Sequence, residues 1–186
     1  MSFFEYISVI VSVVLALGIA RVLGGLGELL VARREKKTYW VHSVWIGFVF
    51  LMHIRIWWSY WDVAAAPSTN LLAFLYMLIG PAAAYLAAYV LLPGGFPNDA
   101  DQHFYAIRKP FFALGIVLAL YAALTPLILG YQSPAGLYAG AAFGMVINVV
   151  GLLTENRRIH SVIAFVALVG FSLSFLNRLT AGGQAG

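Results

Sequence analysis

From Val9 to Ala20 the chain holds one serine and one glycine among aliphatic side chains, with no charge and no alternation of polar and apolar residues. In lipid every backbone N–H and C=O must be paired internally, so only helices and closed barrels span. A barrel strand alternates with a period of two, which this run does not, so it reads as a transmembrane helix. Similar apolar segments recur, giving spans of about 4–30, 40–61, 71–92, 110–130, 135–153 and 159–177. Short connections make neighbouring helices antiparallel. The predicted fold is an all-α integral membrane protein, a six-transmembrane-helix up-and-down bundle forming one domain over residues 1–186, with N- and C-termini outside.

Composition supports the same class. Hydrophobic residues make up 62% and charged ones 10% of 186 residues, where a soluble domain carries about 25% charge. At about 20 residues per span, little is left for an extramembrane catalytic domain. The chain has no cysteine, which removes disulfides, thiolate metal sites and thiol nucleophiles. Gly18 and Ala20 precede Arg21 like a weak cleavage site, but Glu5 and the lack of Lys or Arg ahead of the run argue against a signal peptide.

The position of charge matters more here than its net value of +4. Arg33, Arg34, Lys36 and Lys37 fall between spans one and two, Arg108 and Lys109 between three and four, and Arg157 and Arg158 between five and six. Eight of eleven cations thus lie on one side, and Arg178 and Asp62 on the other, which places the three basic loops in the cytoplasm. The expected setting is a multi-pass protein of the bacterial inner membrane, with lipids as partners and no nucleic acid. Pro93 to Lys109, the longest connection, reads as a turn followed by an interfacial stretch containing His103 and Tyr105.

In span five Gly136, Gly140, Gly144 and Asn148 recur every fourth residue, which predicts a smooth face for close helix packing inside the bundle or between subunits. Weaker versions are Gly80, Ala84 and Ala88, and Gly115, Ala119 and Ala123. Pro81 removes a hydrogen bond near the middle of span three and predicts a kink. All five tryptophans lie in span two; Trp40 at one end and Trp57, Trp58 and Trp61 at the other fit headgroup depth.

Ionisable side chains within spans are functional candidates, because a charge at the bilayer centre costs at least roughly 2.5–3.5 kcal/mol. Arg21, Glu28, His53, Arg55 and Asn148 are therefore the candidates for an ion or ligand pathway. Arg21 and Glu28 share a helix face, with a structural ion pair or headgroup contact as the alternative; Arg55 lies close enough to the outer surface to snorkel or to meet Glu5 or Asp62. His42 and His53 share a face of span two, but His53 lacks a histidine partner at its depth, which disfavours haem. His42-Ser43-Val44 and His160-Ser161-Val162 hint at a repeat too short to establish one. No metal site and no cofactor are expected.

Motifs of metalloproteases, serine hydrolases, P-loop proteins and intramembrane aspartyl proteases are absent, so an enzyme is not expected. Three roles remain. The first is a channel or transporter for a small, anionic solute, working as a homo-oligomer. The second is an accessory or assembly subunit of a larger membrane complex, and the third a binder of lipid, quinone or pigment. The absence of a carboxylate near mid-membrane speaks against proton coupling.

Overall fold

A computed structural model describes residues 3–31, 35–63, 70–133 and 136–182, the side chains of 3, 4 and 175–182 excepted. Arg33, Arg34 and the Arg178 side chain, counted above for orientation, lie outside the described residues. Six helices follow one another: α1 Phe3–Val31, α2 Trp40–Val63, α3 Leu71–Leu91, α4 Ala100–Leu129, α5 Leu137–Leu153 and α6 Arg157–Gly182. Among the described residues there is no strand, only the isolated bridges Lys37 to Asp99 and Pro93 to Gly95.

The helices α1, α2, α3, α4 and α6 are long and apolar enough to cross a membrane. Helix α5 is shorter, 17 residues, about 25 Å at 1.5 Å per residue, against a hydrocarbon core of about 30 Å. The outer surface is that of a lipid-facing bundle: Trp61 and Leu72 are each 78% exposed, while His42, His53 and His160 are fully buried. A soluble bundle inverts that arrangement.

Helix α4 starts ten residues before the expected span, so the stretch containing His103 and Tyr105 is helix rather than interfacial loop. Asp99 provides the start: its carboxylate accepts the Gln102 N–H at 3.1 Å, and Asp101 favours the first turn. That backbone bond, helped by Lys37, also holds the Asp99 carboxyl below its ordinary pKa. The charges of this turn lower its hydropathy without disfavouring a helix, which is why an apolar window misses it.

The basic connections gather at one end of the bundle. Lys36 donates to the Phe96 carbonyl and approaches Glu28 at 3.7 Å. Arg157 pairs with Asp101 at 2.6 Å, and Arg108 pairs with Glu155 while its Nε donates to the Thr154 carbonyl at 3.2 Å. Here Tyr39 and Tyr105 share a hydroxyl contact of 3.2 Å, and burial pushes the Tyr39 phenol up. Two apolar cores are stacked along the bundle. One, around Trp45, Leu91, Phe104 and Phe112, adjoins the basic end; the other, around Ile7, Tyr60, Met77 and Leu129, adjoins the opposite end.

Candidate functional site

Helix α2 presents one face at helical spacing: Trp45, Phe48, Val49, Met52, Arg55, Ser59 and Asp62. Across from it α5 presents Leu137, Gly140, Ala141, Gly144 and Asn148. The two helices do not pack against one another; α4 and α6 each touch both and bridge them. Between α2 and α5 lies a cleft of about 140 Å³, with Leu118, Ala119, Ala122 and Thr125 of α4 along its wall.

The glycines of α5 explain its shape. At the end nearer the basic loops α4 and α5 are in full contact: a Cβ on Gly151 would collide with the Phe112 ring, and one on Gly115 with the Asn148 amide. Further along, Gly144 would meet only Ala119 at 3.9 Å, and around Gly140 and Gly136 there is nothing within 4 Å. The expected close-packed face is thus tight only beyond Gly144. Gly140 and Gly144 line the cleft instead, and Gly136 is the N-cap of α5 with φ of +77°, a left-handed conformation that glycine adopts without a Cβ penalty. Close approach needs a partner ridge, and a Cβ at position 136 or 140 would meet none within 4 Å.

The cleft stops at a floor of interlocked rings. Trp45 meets Phe48, Phe111 and Phe112 edge to face at 5.3–5.4 Å, and Phe112 stacks on His160 at 5.6 Å. Asn148 stands beside this floor, its Nδ2 donating to the Gly144 carbonyl at 2.7 Å. Its oxygen is left to the Gly115 side, where only a glycine leaves room for it. At the other end Arg55, Ser59 and Asp62 form the polar part of the wall, with the Arg55 guanidinium 5.9 Å from the Phe171 ring of α6.

The five pathway candidates therefore occupy three places. Arg55 and Asn148 line the cleft. His53 turns to α1, its Nδ1–H donating to the Val49 carbonyl at 2.7 Å and its Nε2 lying over Gly18. Arg21 and Glu28 clamp the connection between α3 and α4. Arg21 donates to the Pro93 carbonyl at 2.6 Å and covers the Tyr89 ring, while Glu28 accepts the Phe96 N–H at 3.2 Å and lies where a Cβ of Gly95 would be. Gly95 has φ of +109°, so both space and backbone require glycine there.

Two arrangements carry no legible signal in the sequence. Pro81 has no N–H, which frees the carbonyl four residues earlier. That carbonyl, Met77, accepts from the hydroxyls of Tyr60 of α2 and Tyr121 of α4, the latter at 3.4 Å. The Tyr121 ring fits because position 80 is glycine, and Tyr76 donates to the Tyr121 carbonyl at 2.8 Å. Side chains of neighbouring helices thus take the place of the missing bond, as polar groups must in a membrane.

The second arrangement accounts for the remaining histidines. His42 bonds the Leu91 carbonyl and His103 the Val90 carbonyl, each at 3.1 Å, and His160 bonds the Thr154 carbonyl at 3.0 Å. All three carbonyls lie at helix C-termini, where intrahelical donors run out. The rings of His42 and His103 are 5.7 Å apart, but no three His, Asp or Glu groups among the described residues converge on a metal site. Comparisons with known protein families, with curated proteins and with solved structures find no match to this chain.

Proposed function

We propose that this chain is a binding protein for a small amphipathic molecule, held in the cleft between α2 and α5 with its apolar part toward the floor. The observation that carries the reading is the α2 wall: aromatic and aliphatic over Trp45 to Met52, then Arg55, Ser59 and Asp62. A purely polar solute has few partners along Trp45 to Met52, whereas an amphipathic one meets both that apolar stretch and the polar groups beyond it. All six helices cross the membrane, α5 with a mismatch of a few ångströms that thinning or flanking residues absorb. The basic end is cytoplasmic, both termini are outside, and the cleft opens toward the outer leaflet.

A binder is preferred to a conduit because Trp45, Phe111, Phe112 and His160 fill the path beyond the floor. The test is photolabelling in membranes with a fatty acyl probe carrying a diazirine near the chain end. Labels at Met52 and Ala141, lost in Gly140→Phe while exterior labels persist, support the reading. An identical labelling map in the variant sinks it. Carriage of an anionic solute is the second reading, favoured by Arg55 standing about 12 Å, eight residues, inside the end of α2. It predicts that Arg55→Gln lowers anion uptake into vesicles and that Arg21→Leu, which loosens only the clamp, does not.

A further inference from the structure

The polar side chains that border the cleft differ in what they have left to offer. Ser59 donates to the Ile56 carbonyl at 2.7 Å, Thr125 to the Tyr121 carbonyl, and the Tyr121 hydroxyl to the Met77 carbonyl. Arg55, Asp62 and Tyr131 have interactions of their own within the chain. The Trp45 N–H finds no acceptor, but it is enclosed by the floor. Asn148 is different. Its Nδ2 donates to the Gly144 carbonyl at 2.7 Å, which fixes the orientation of the amide, because an oxygen turned there would face another acceptor. Its Oδ1 then accepts no hydrogen bond among the described residues, yet it is not one of the enclosed polar atoms. It lies against Gly115, itself part of the cleft wall, so the side left open is the cleft.

Asn148 stands five residues, about 8 Å, inside the end of α5 at Leu153. The path from the basic end is closed, since Gly151 is packed against the Phe112 ring. From the other end Leu137, Gly140, Ala141 and Gly144 form an apolar wall for eleven residues, about 16 Å, before Asn148 is reached. An amide oxygen without a donor is costly in such surroundings, and a donor brought by the occupant removes that cost. Resting on the proposed binding role, we infer that the occupant is an acyl amphiphile hydroxylated at the far end of its chain, with the chain along this wall and the terminal hydroxyl donating to Asn148 Oδ1. The floor begins beside Asn148, so what meets the oxygen is the end of a chain. A plain acyl chain, or a quinone carbonyl, offers that oxygen no donor. A small polyol offers one but leaves the apolar wall unused.

The experiment is competition in detergent, read by native mass spectrometry of the full chain. Dodecanoic acid hydroxylated at its terminal carbon is offered against the isomer hydroxylated at mid-chain and against plain dodecanoic acid. The wild type should retain the terminal isomer about fivefold over the mid-chain one, the scale of one hydrogen bond; this comparison needs no variant. Detergent takes up the hydroxylated and plain acids differently, so for that pair the quantity read is the change in their retention ratio on substitution. Asn148→Leu, close to asparagine in shape but without the acceptor, should lower the ratio of terminal-hydroxyl to plain acid about fivefold. Equal retention of the two isomers by the wild type, or a ratio unchanged in Asn148→Leu, overturns the inference. If Gly140→Phe abolishes retention in that case, binding in the cleft still stands. Retention of all three acids unchanged in Gly140→Phe overturns the binding role itself, and this inference with it.

Discussion

Replacing Tyr60 and Tyr121 by phenylalanine tests how the bundle tolerates a proline in α3. The Met77 carbonyl has no helical partner because Pro81 lacks an N–H, and two phenol hydroxyls stand in for it. Tyr60→Phe alone leaves the Tyr121 hydroxyl, 3.4 Å away, able to shift inward, so the cost should be that of an ordinary hydrogen bond, about 1 kcal/mol. Tyr121→Phe leaves the Tyr60 bond in place and should cost less. The double variant strands a buried carbonyl with no water to replace the lost donors, at about 2–3 kcal/mol in total. The double cost should therefore exceed the sum of the single costs by about 1 kcal/mol, the coupling expected of two donors that cover for each other. Pro81→Ala supplies an N–H at the position helix geometry requires, and in the double-phenylalanine background it should recover most of the loss. The assay is reversible chemical denaturation of the purified protein in mild detergent, with all four tyrosine combinations crossed against Pro81→Ala. Simple additivity, or no recovery by Pro81→Ala, would refute the claim that the tyrosines replace the proline's missing bond.

Other outcomes follow from the same contacts. Gly151→Ala drives a methyl into the Phe112 ring and should destabilise by about 1–3 kcal/mol, whereas Gly140→Ala, with open space around it, should be neutral or stabilising by up to about 1 kcal/mol; paired denaturation curves decide this. Arg21→Leu removes the tie to the Pro93 carbonyl, so amide hydrogen exchange over residues 93–99 should quicken about fivefold, for roughly 1 kcal/mol of partly exposed interaction. Unchanged exchange there would contradict the clamp. The Asp99 carboxyl is held below its usual 3.8, so its contribution is present above that value and lost as pH falls through the lower folded value. Acid titration of stability should show this loss below about pH 4, and Asp99→Asn should lack that component.

Apolar runs and basic loops show in the sequence because lipid and charge act on each segment separately. The helical class follows from the runs themselves, and the gathering of Lys37, Arg108 and Arg157 at one end follows from alternating direction. What depends on which helices meet is not legible. Arg21 and Glu28 look alike as intramembrane charges whether they line a path or hold a loop, and only the position of Pro93 to Phe96 decides. Arg55 was a candidate by its charge, but Ser59 and Asp62, one and two turns on, join it only once α2 is known to face α5 across an opening. The glycines at 136, 140 and 144 spell a packing face, yet a packing face needs an opposing ridge, and a Cβ would meet nothing at 136 and 140 and only Ala119 at 144. The tyrosines at 60 and 121 are ordinary aromatic residues until Pro81 is placed between their hydroxyls.

The most direct test of the cleft as a binding site is the mass of the intact chain released from lipid nanodiscs under gentle activation. The wild type should retain one lipid per chain, and Gly140→Phe with Gly144→Leu, which fill the space between α2 and α5, should retain none at comparable stability. Equal lipid retention by the filled variant would contradict the account.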